Sequence, residues 1–165
     1  KNYRECYIIR SNFLGKDHPD IAATLNSIGA IYAKNGRNEK ALMIYDQALQ
    51  IRRDSLRDDH VDIARSLGNQ GVALAALGRY TEAMEKYREA LQIREASLTN
   101  KHPSIGDLHV NIGNIHLRKC AFGEAAVRFE MALNIYRSKL REDHPKITAT
   151  LAIISRVKRS EELCV

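Results

Sequence analysis

The chain has no tryptophan, only three cysteines and three prolines, and aromatic residues amount to 6%. Cys6, Cys120 and Cys164 are an odd number with no Cys-x-x-Cys pair, which argues against a disulfide framework or a thiolate zinc site. A reducing, cytoplasmic setting fits them better. No apolar run approaches the roughly 18 residues of a membrane span, the longest being Val72 to Leu77. No secretory signal and no Asn-x-Ser/Thr acceptor is present. The chain opens on Lys1 and not on Met, and reads as a piece of a longer protein.

What remains is charge and aliphatic bulk. The 165 residues are 28% charged and 44% apolar, enough to build a core. Net charge is +6, and residues 137–165 supply half of it, with seven basic side chains against four acidic. The rest, at +3, is too little for a nucleic-acid footprint, so no nucleic-acid partner is expected.

One period organises the chain. His18, His60, His102 and His144 lie 42 residues apart. Ile21, Ile63, Ile105 and Ile147 follow it, as do Leu14, Leu56, Leu98 and Leu140. So do Tyr3, Tyr45, Tyr87 and Phe129, the glycines at 29, 71 and 113, and Ala48, Ala90 and Ala132 with Cys6 in the equivalent place. Repetition at this length indicates stacked supersecondary units.

Each unit reads as two amphipathic helices. Ile21, Leu25, Ile28, Gly29 and Tyr32 share one helical face, and Asn35-Gly36 then supplies a left-handed stop. Ala41, Leu42, Tyr45, Ala48, Leu49 and Ile51 form the stripe of a second helix. The recurring mid-helix glycine costs about 1 kcal/mol relative to alanine, and is expected to let two helices approach opposite a small Ala. The pattern predicts an all-α chain of eight helices. An unpaired helix spans about 1–14, repeats span 18–56, 60–98 and 102–140, a capping helix spans 144–160, and 161–165 is a tail. Such units stack into a right-handed solenoid.

The columns Leu25, Ile28, Gly29, Tyr32, Ala41, Tyr45 and Ala48 resemble the tetratricopeptide repeat (TPR). The strings Leu14-Gly15-Lys16-Asp17-His18-Pro19 and Ala90-Leu91-Gln92-Ile93-Arg94-Glu95 look like its 42-residue kinesin light chain group. The resemblance covers about residues 1–150. It implies a superhelical solenoid of three full repeats plus a half repeat at each end, whose inner surface holds a peptide. It further implies a role in a cytoplasmic adaptor or scaffold.

The first-helix face opposite the core stripe carries Asn26, Ser27 and Lys34 in the first repeat, and Arg65, Asn69 and Val72 in the second. In the third it carries Val110, Asn111, Asn114 and Arg118. By resemblance, Asn69 and Asn111 hold the position whose amide contacts a ligand backbone, with Ser27 replacing it in the first repeat. An amide offers a donor and an acceptor together, so it can read a peptide irrespective of side chain. Lys34, Arg65 and Arg118 against Asp107 favour a protein or peptide ligand of acidic character.

Other signals carry less. The four periodic histidines lie in different repeats without a second ligand at i+3 or i+4, so capping or packing is expected in place of metal binding. His109 and His116 stand in columns held elsewhere by Leu and Tyr, and are expected to fill core or inter-repeat positions. No triad, paired carboxylates or cofactor loop stands out; the expectation is a non-enzyme with no cofactor and no membrane insertion. The alternative is a structural spacer or oligomerisation element, self-associating through residues 1–14.

Overall fold

The structure, a computed structural model, describes residues 2–15, 18–97 and 102–162, excepting the side chains of 2–4, 6 and 162. The side chains of Tyr3 and Cys6, together with Leu98, Cys164 and the tail from 163, lie outside the described residues. Eight helices and no strands are present among the described residues. They are α1 (Asn2–Leu14), α2 (Pro19–Lys34), α3 (Asn38–Ser55), α4 (Val61–Ala76), α5 (Tyr80–Ser97), α6 (Pro103–Arg118), α7 (Phe122–Arg137) and α8 (Pro145–Glu162).

The periodic histidines explain where the odd members of this series end and the even ones begin. His18, His60 and His102 hold extended backbone, and their Nδ1 atoms accept from the N–H of Asp20, Asp62 and Ser104, each at 3.2 Å. His144 Nδ1 does the same for Lys146 N–H at 3.1 Å. Each ring satisfies one of the amides that a helix start leaves without an intrahelical partner. An accepting Nδ1 carries no proton, so the hydrogen sits on Nε2. His60→Ala is expected to cost about 1 kcal/mol and lower Tm by about 2–4 °C, whereas His60→Asn, also an acceptor, should lose much less. Equal melting temperatures for the two variants would remove the capping role.

Gly36 and Gly78 end α2 and α4 at φ of 72° and 77°, conformations that cost an L side chain about 1–2 kcal/mol. Cys120 takes the same place after α6 at φ 56°. All three turns close alike: the N–H groups of Arg37, Arg79 and Ala121 reach the carbonyls of Tyr32, Leu74 and His116 at 2.9 Å.

The chain forms two compact units, 1–93 and 94–165. In the first, Ile21, Ala22, Leu25 and Ala48 are buried together under Tyr7, Ile44 and Ile51. Ala41, Tyr45 and Ala73 form a neighbouring cluster. In the second, Ala125, Phe129, Ala132, Leu133 and Tyr136 pack with Ile147, Ile154 and Val157 of α8. On α1, Ile8, Ile9, Phe13 and Leu14 remain exposed.

The recurring glycines do not face a small Ala, as the sequence reading expects. A Cβ on Gly29 would lie 2.7 Å from Tyr45 Cδ1, one on Gly71 2.7 Å from Tyr87 Cδ1, and one on Gly113 2.9 Å from Phe129 Cε1. The absent side chain is room for the aromatic ring of the partner helix. The Gly column and the aromatic column are therefore two halves of one contact.

A second column escapes the sequence reading. Arg52 is 1% exposed, and its Nη1 donates to the Asp62 carbonyl at 2.8 Å and to Ser66 Oγ at 2.6 Å. Arg10 Nη1 bonds Thr24 Oγ1 at 3.0 Å, and Arg94 Nη1 bonds the Ser104 carbonyl at 2.5 Å. These arginines stand 42 apart and tie each second helix to the first helix that follows it. Burial, with Arg65 nearby, pushes the Arg52 guanidinium down to about 10, so it remains charged at neutral pH.

Candidate functional site

The sequence-predicted residues divide between the units, six in the first and four in the second. In the first unit Asn26 is not on an open surface. It is 7% exposed; its Nδ2 donates to the Ala22 carbonyl at 2.9 Å and to Ser66 Oγ at 3.1 Å. Its Oδ1 accepts from Asn69 Nδ2 at 3.0 Å. Asn26 is thereby a packing residue, corrected from a ligand contact, because Ser66 and Asn69 on α4 reach it across the helix interface. Asn69 is half-buried, and its Oδ1 stays open among the described residues.

Ser27 is exposed but donates its hydroxyl to its own helix, at Ala23 O and 3.1 Å. Arg65 pairs with Asp62 at 2.9 Å, which cancels much of its charge toward a ligand. Lys34 and Val72 are exposed. Ser66 also receives Arg52, so a continuous network runs from the buried guanidinium through Ser66 and Asn26 to the surface amide of Asn69.

The second unit holds a better-formed site. Val110 and Asn111 line a cleft of about 320 Å³ together with Asp107, Tyr136, Lys146, Ala149, Thr150 and Ile153. α6 supplies one wall, α8 the other, and Tyr136 from α7 reaches in between. Asn111 is half-buried, and neither end of its amide has a partner among the described residues. Asn114 and Arg118 are exposed on the same helix but do not line the cleft.

One end of the cleft is polar and tightly organised. Lys146 Nζ lies 2.6 and 2.8 Å from the two Asp107 oxygens, and the Tyr136 hydroxyl donates to Asp107 Oδ1 at 2.7 Å. The ammonium also sits 5.5 Å from the Tyr136 ring centroid, within cation–π range. Burial and the adjacent Asp107 carboxylate push the Tyr136 phenol far above its ordinary value, so it stays a donor. Gly106 makes this possible, since a Cβ there would lie 2.6 Å from Tyr136 Cε1. The remainder of the cleft is Val110, Ala149 and Ile153 alongside Asn111 and Thr150.

Sequence reasoning missed Tyr136, Lys146, Thr150 and Ile153. The signal was a break in two columns. Tyr136 stands where Arg52 and Arg94 stand, and Lys146 where Asp20 and Asp62 stand. The two departures fit each other through Asp107, which replaces Arg65 in its own column. Chemically the cleft can bind and orient a chain; it holds no nucleophile beside a base. Among the described residues no group of three or more His, Cys, Asp or Glu side chains is placed to hold a metal ion, and no helix is long and apolar enough to cross a membrane.

Comparison with known proteins bears on the fold. The profile of the tetratricopeptide repeat matches residues 1–54, 20–96 and 62–138. Among solved structures, nearly identical TPR-like repeats of a kinesin light chain candidate from Podosopora anserina are 22% identical, with a TM-score of 0.77. They match 98% of this chain and 76% of their own. BtubC (BKLC) from P. vanneervenii is 23% identical, with a TM-score of 0.83 over 97% of this chain and 64% of its own. The apo form of RapI is 20% identical, with a TM-score of 0.78 over 96% and 56%. At these identities the likeness concerns the fold. Among curated protein sequences, none matches.

Proposed function

The chain belongs to the tetratricopeptide-repeat family, a protein-interaction fold, and from that premise we propose that it captures a short peptide segment of a protein partner as part of an adaptor or scaffold. The observation that carries this reading is the Asn111 amide, half-buried and without a partner at the mouth of this cleft. A buried or half-buried amide is normally hydrogen-bonded. The cleft of about 320 Å³ has room for one large apolar side chain of the ligand, while Asn111 pairs with ligand backbone N–H and C=O.

Acidic character in the ligand is favoured by Lys146, which can turn from Asp107 to a ligand carboxylate, and by the exposed Arg118. The cost is the Asp107 pairing, so the gain in affinity is modest and falls with salt. The similar solved structure named for a kinesin light chain fits an adaptor role, which remains this proposal.

The test follows from the hydrogen bonds. Asn69→Ala is a poor probe because it strands the Asn26 acceptor. Asn111→Ala disturbs no internal bond, so it should leave Tm unchanged and weaken a peptide selected from an array about 3- to 30-fold. Unchanged affinity, or an array that selects no peptide, would sink the reading.

A further inference from the structure

A second recess in unit 94–165 uses a different edge of α6. It encloses about 470 Å³ and is lined by Glu95 of α5, Ile105 and His109 of α6, and Met131, Asn134 and Ile135 of α7. Its floor is unusual. His109 is 5% exposed and takes a column filled by Leu25 and Leu67 in the earlier repeats. Its Nδ1 is sealed without a hydrogen-bond partner. A buried ring nitrogen without a partner is an unmet polar demand, here beside the apolar Ile105, Met131 and Ile135. Burial and the charge of Arg128 hold His109 below its ordinary range, so the ring is neutral and keeps one lone pair.

The preceding repeat supplies the comparison. The residues 42 positions earlier are Arg53, Ile63, Leu67, Glu89, Gln92 and Ile93. There Arg53 Nη2 and Glu89 Oε1 meet at 2.6 Å, an internal cation and anion bridging the rim above an apolar floor. In the later repeat those two rim positions read Glu95 and Met131. The carboxylate is kept on the other side of the rim, the cation is gone, and the floor has become polar.

We propose that this recess receives an arginine side chain of a partner protein, its guanidinium on Glu95 and its methylene stem on Ile105, Met131 and Ile135, with an N–H directed to the His109 imidazole. A planar guanidinium matches a carboxylate with two parallel bonds and keeps donors to spare for a third acceptor. Its stem prefers apolar walls. The site is independent of the peptide cleft, which uses Asp107 and Asn111, and its ligand carries the opposite charge.

The probe is N-acetyl-L-arginine amide, titrated into the full chain and followed by the backbone amide resonances of His109, Met131 and Ile135. The expected result is saturable shifts with a Kd of about 1–10 mM, as suits a single side chain. The neutral isostere N-acetyl-citrulline amide should bind at least about 5-fold more weakly. Glu95→Gln should weaken arginine binding by a similar factor. His109→Leu, which restores the residue of the other repeats and so preserves the fold, should also weaken it. Asn111→Ala should leave it unchanged. Shifts that do not saturate, equal binding of citrulline and arginine, or insensitivity to Glu95→Gln would each overturn the proposal.

Discussion

Gly71→Leu is expected to destabilise the protein by about 3 kcal/mol or more, lowering Tm by about 6–12 °C. Even the first atom of the new side chain would fall 2.7 Å from Tyr87 Cδ1 and closer still to Cε1. Tyr87 is 1% exposed, so its ring cannot swing away without moving α5 off α4. Gly71→Ala should be milder, about 1–2 kcal/mol, because overpacking is partly offset by roughly 1 kcal/mol of better helix propensity. The two residues act as a pair. Tyr87→Leu on its own opens a void, yet combined with Gly71→Ala it should cost less than the sum of the single changes, as contacting residues do. Chemical or thermal unfolding of the four proteins, with exposed Glu85→Ala as a control, measures this. Additive losses would mean that the glycine and the ring do not meet.

Arg52→Ala is the second large effect, a loss of about 3–5 kcal/mol. The change leaves a void at one of the largest fully buried side chains and removes a charged donor from the Asp62 carbonyl and from Ser66 Oγ, which keeps only Asn26. Arg52→Met separates the two contributions. It keeps the stem volume and removes the charge, whose desolvation is itself unfavourable, so the loss should shrink to within about 1–2 kcal/mol. If Met were as damaging as Ala, the guanidinium hydrogen bonds and not the packing would hold this junction. An Ala variant within 1 kcal/mol of the parent protein would end the claim that the arginine column ties successive hairpins together.

These two sites show how far periodicity reaches. The columns of Gly71 and Tyr87 are both visible at 42-residue spacing, but recurrence along a chain does not say which column meets which across a helix pair. The glycine's small size marks a close approach, but its neighbour is a tyrosine ring and not an Ala. Arg52 and Arg53 are adjacent and chemically identical, yet one is 1% exposed while the other bridges to Glu89 at the surface. The repetition of Arg10, Arg52 and Arg94 was the available clue, hidden because a charged residue is normally read as solvated.

The candidate site divides in the same way. Asn26, Asn69 and Asn111 all fall on the non-core face of a first helix, and only their tertiary neighbours separate them. Ser66, 40 residues away, draws Asn26 inside, whereas nothing described engages Asn111. Lys146 and Tyr136 came into view once α8 and α7 were seen to close on Asp107.

Local order was therefore determined by the linear code alone: eight helices, histidine starts, left-handed stops and the apolar stripe of each hairpin follow from residue type and spacing. Partnerships were decided in three dimensions, because ring-against-glycine fit, the drying of a guanidinium and the sealing of an amide depend on distances between segments far apart in the chain. A one-dimensional pattern reports the free energy of placing a residue on a helix. It does not report that of removing the same residue from water beside a particular neighbour.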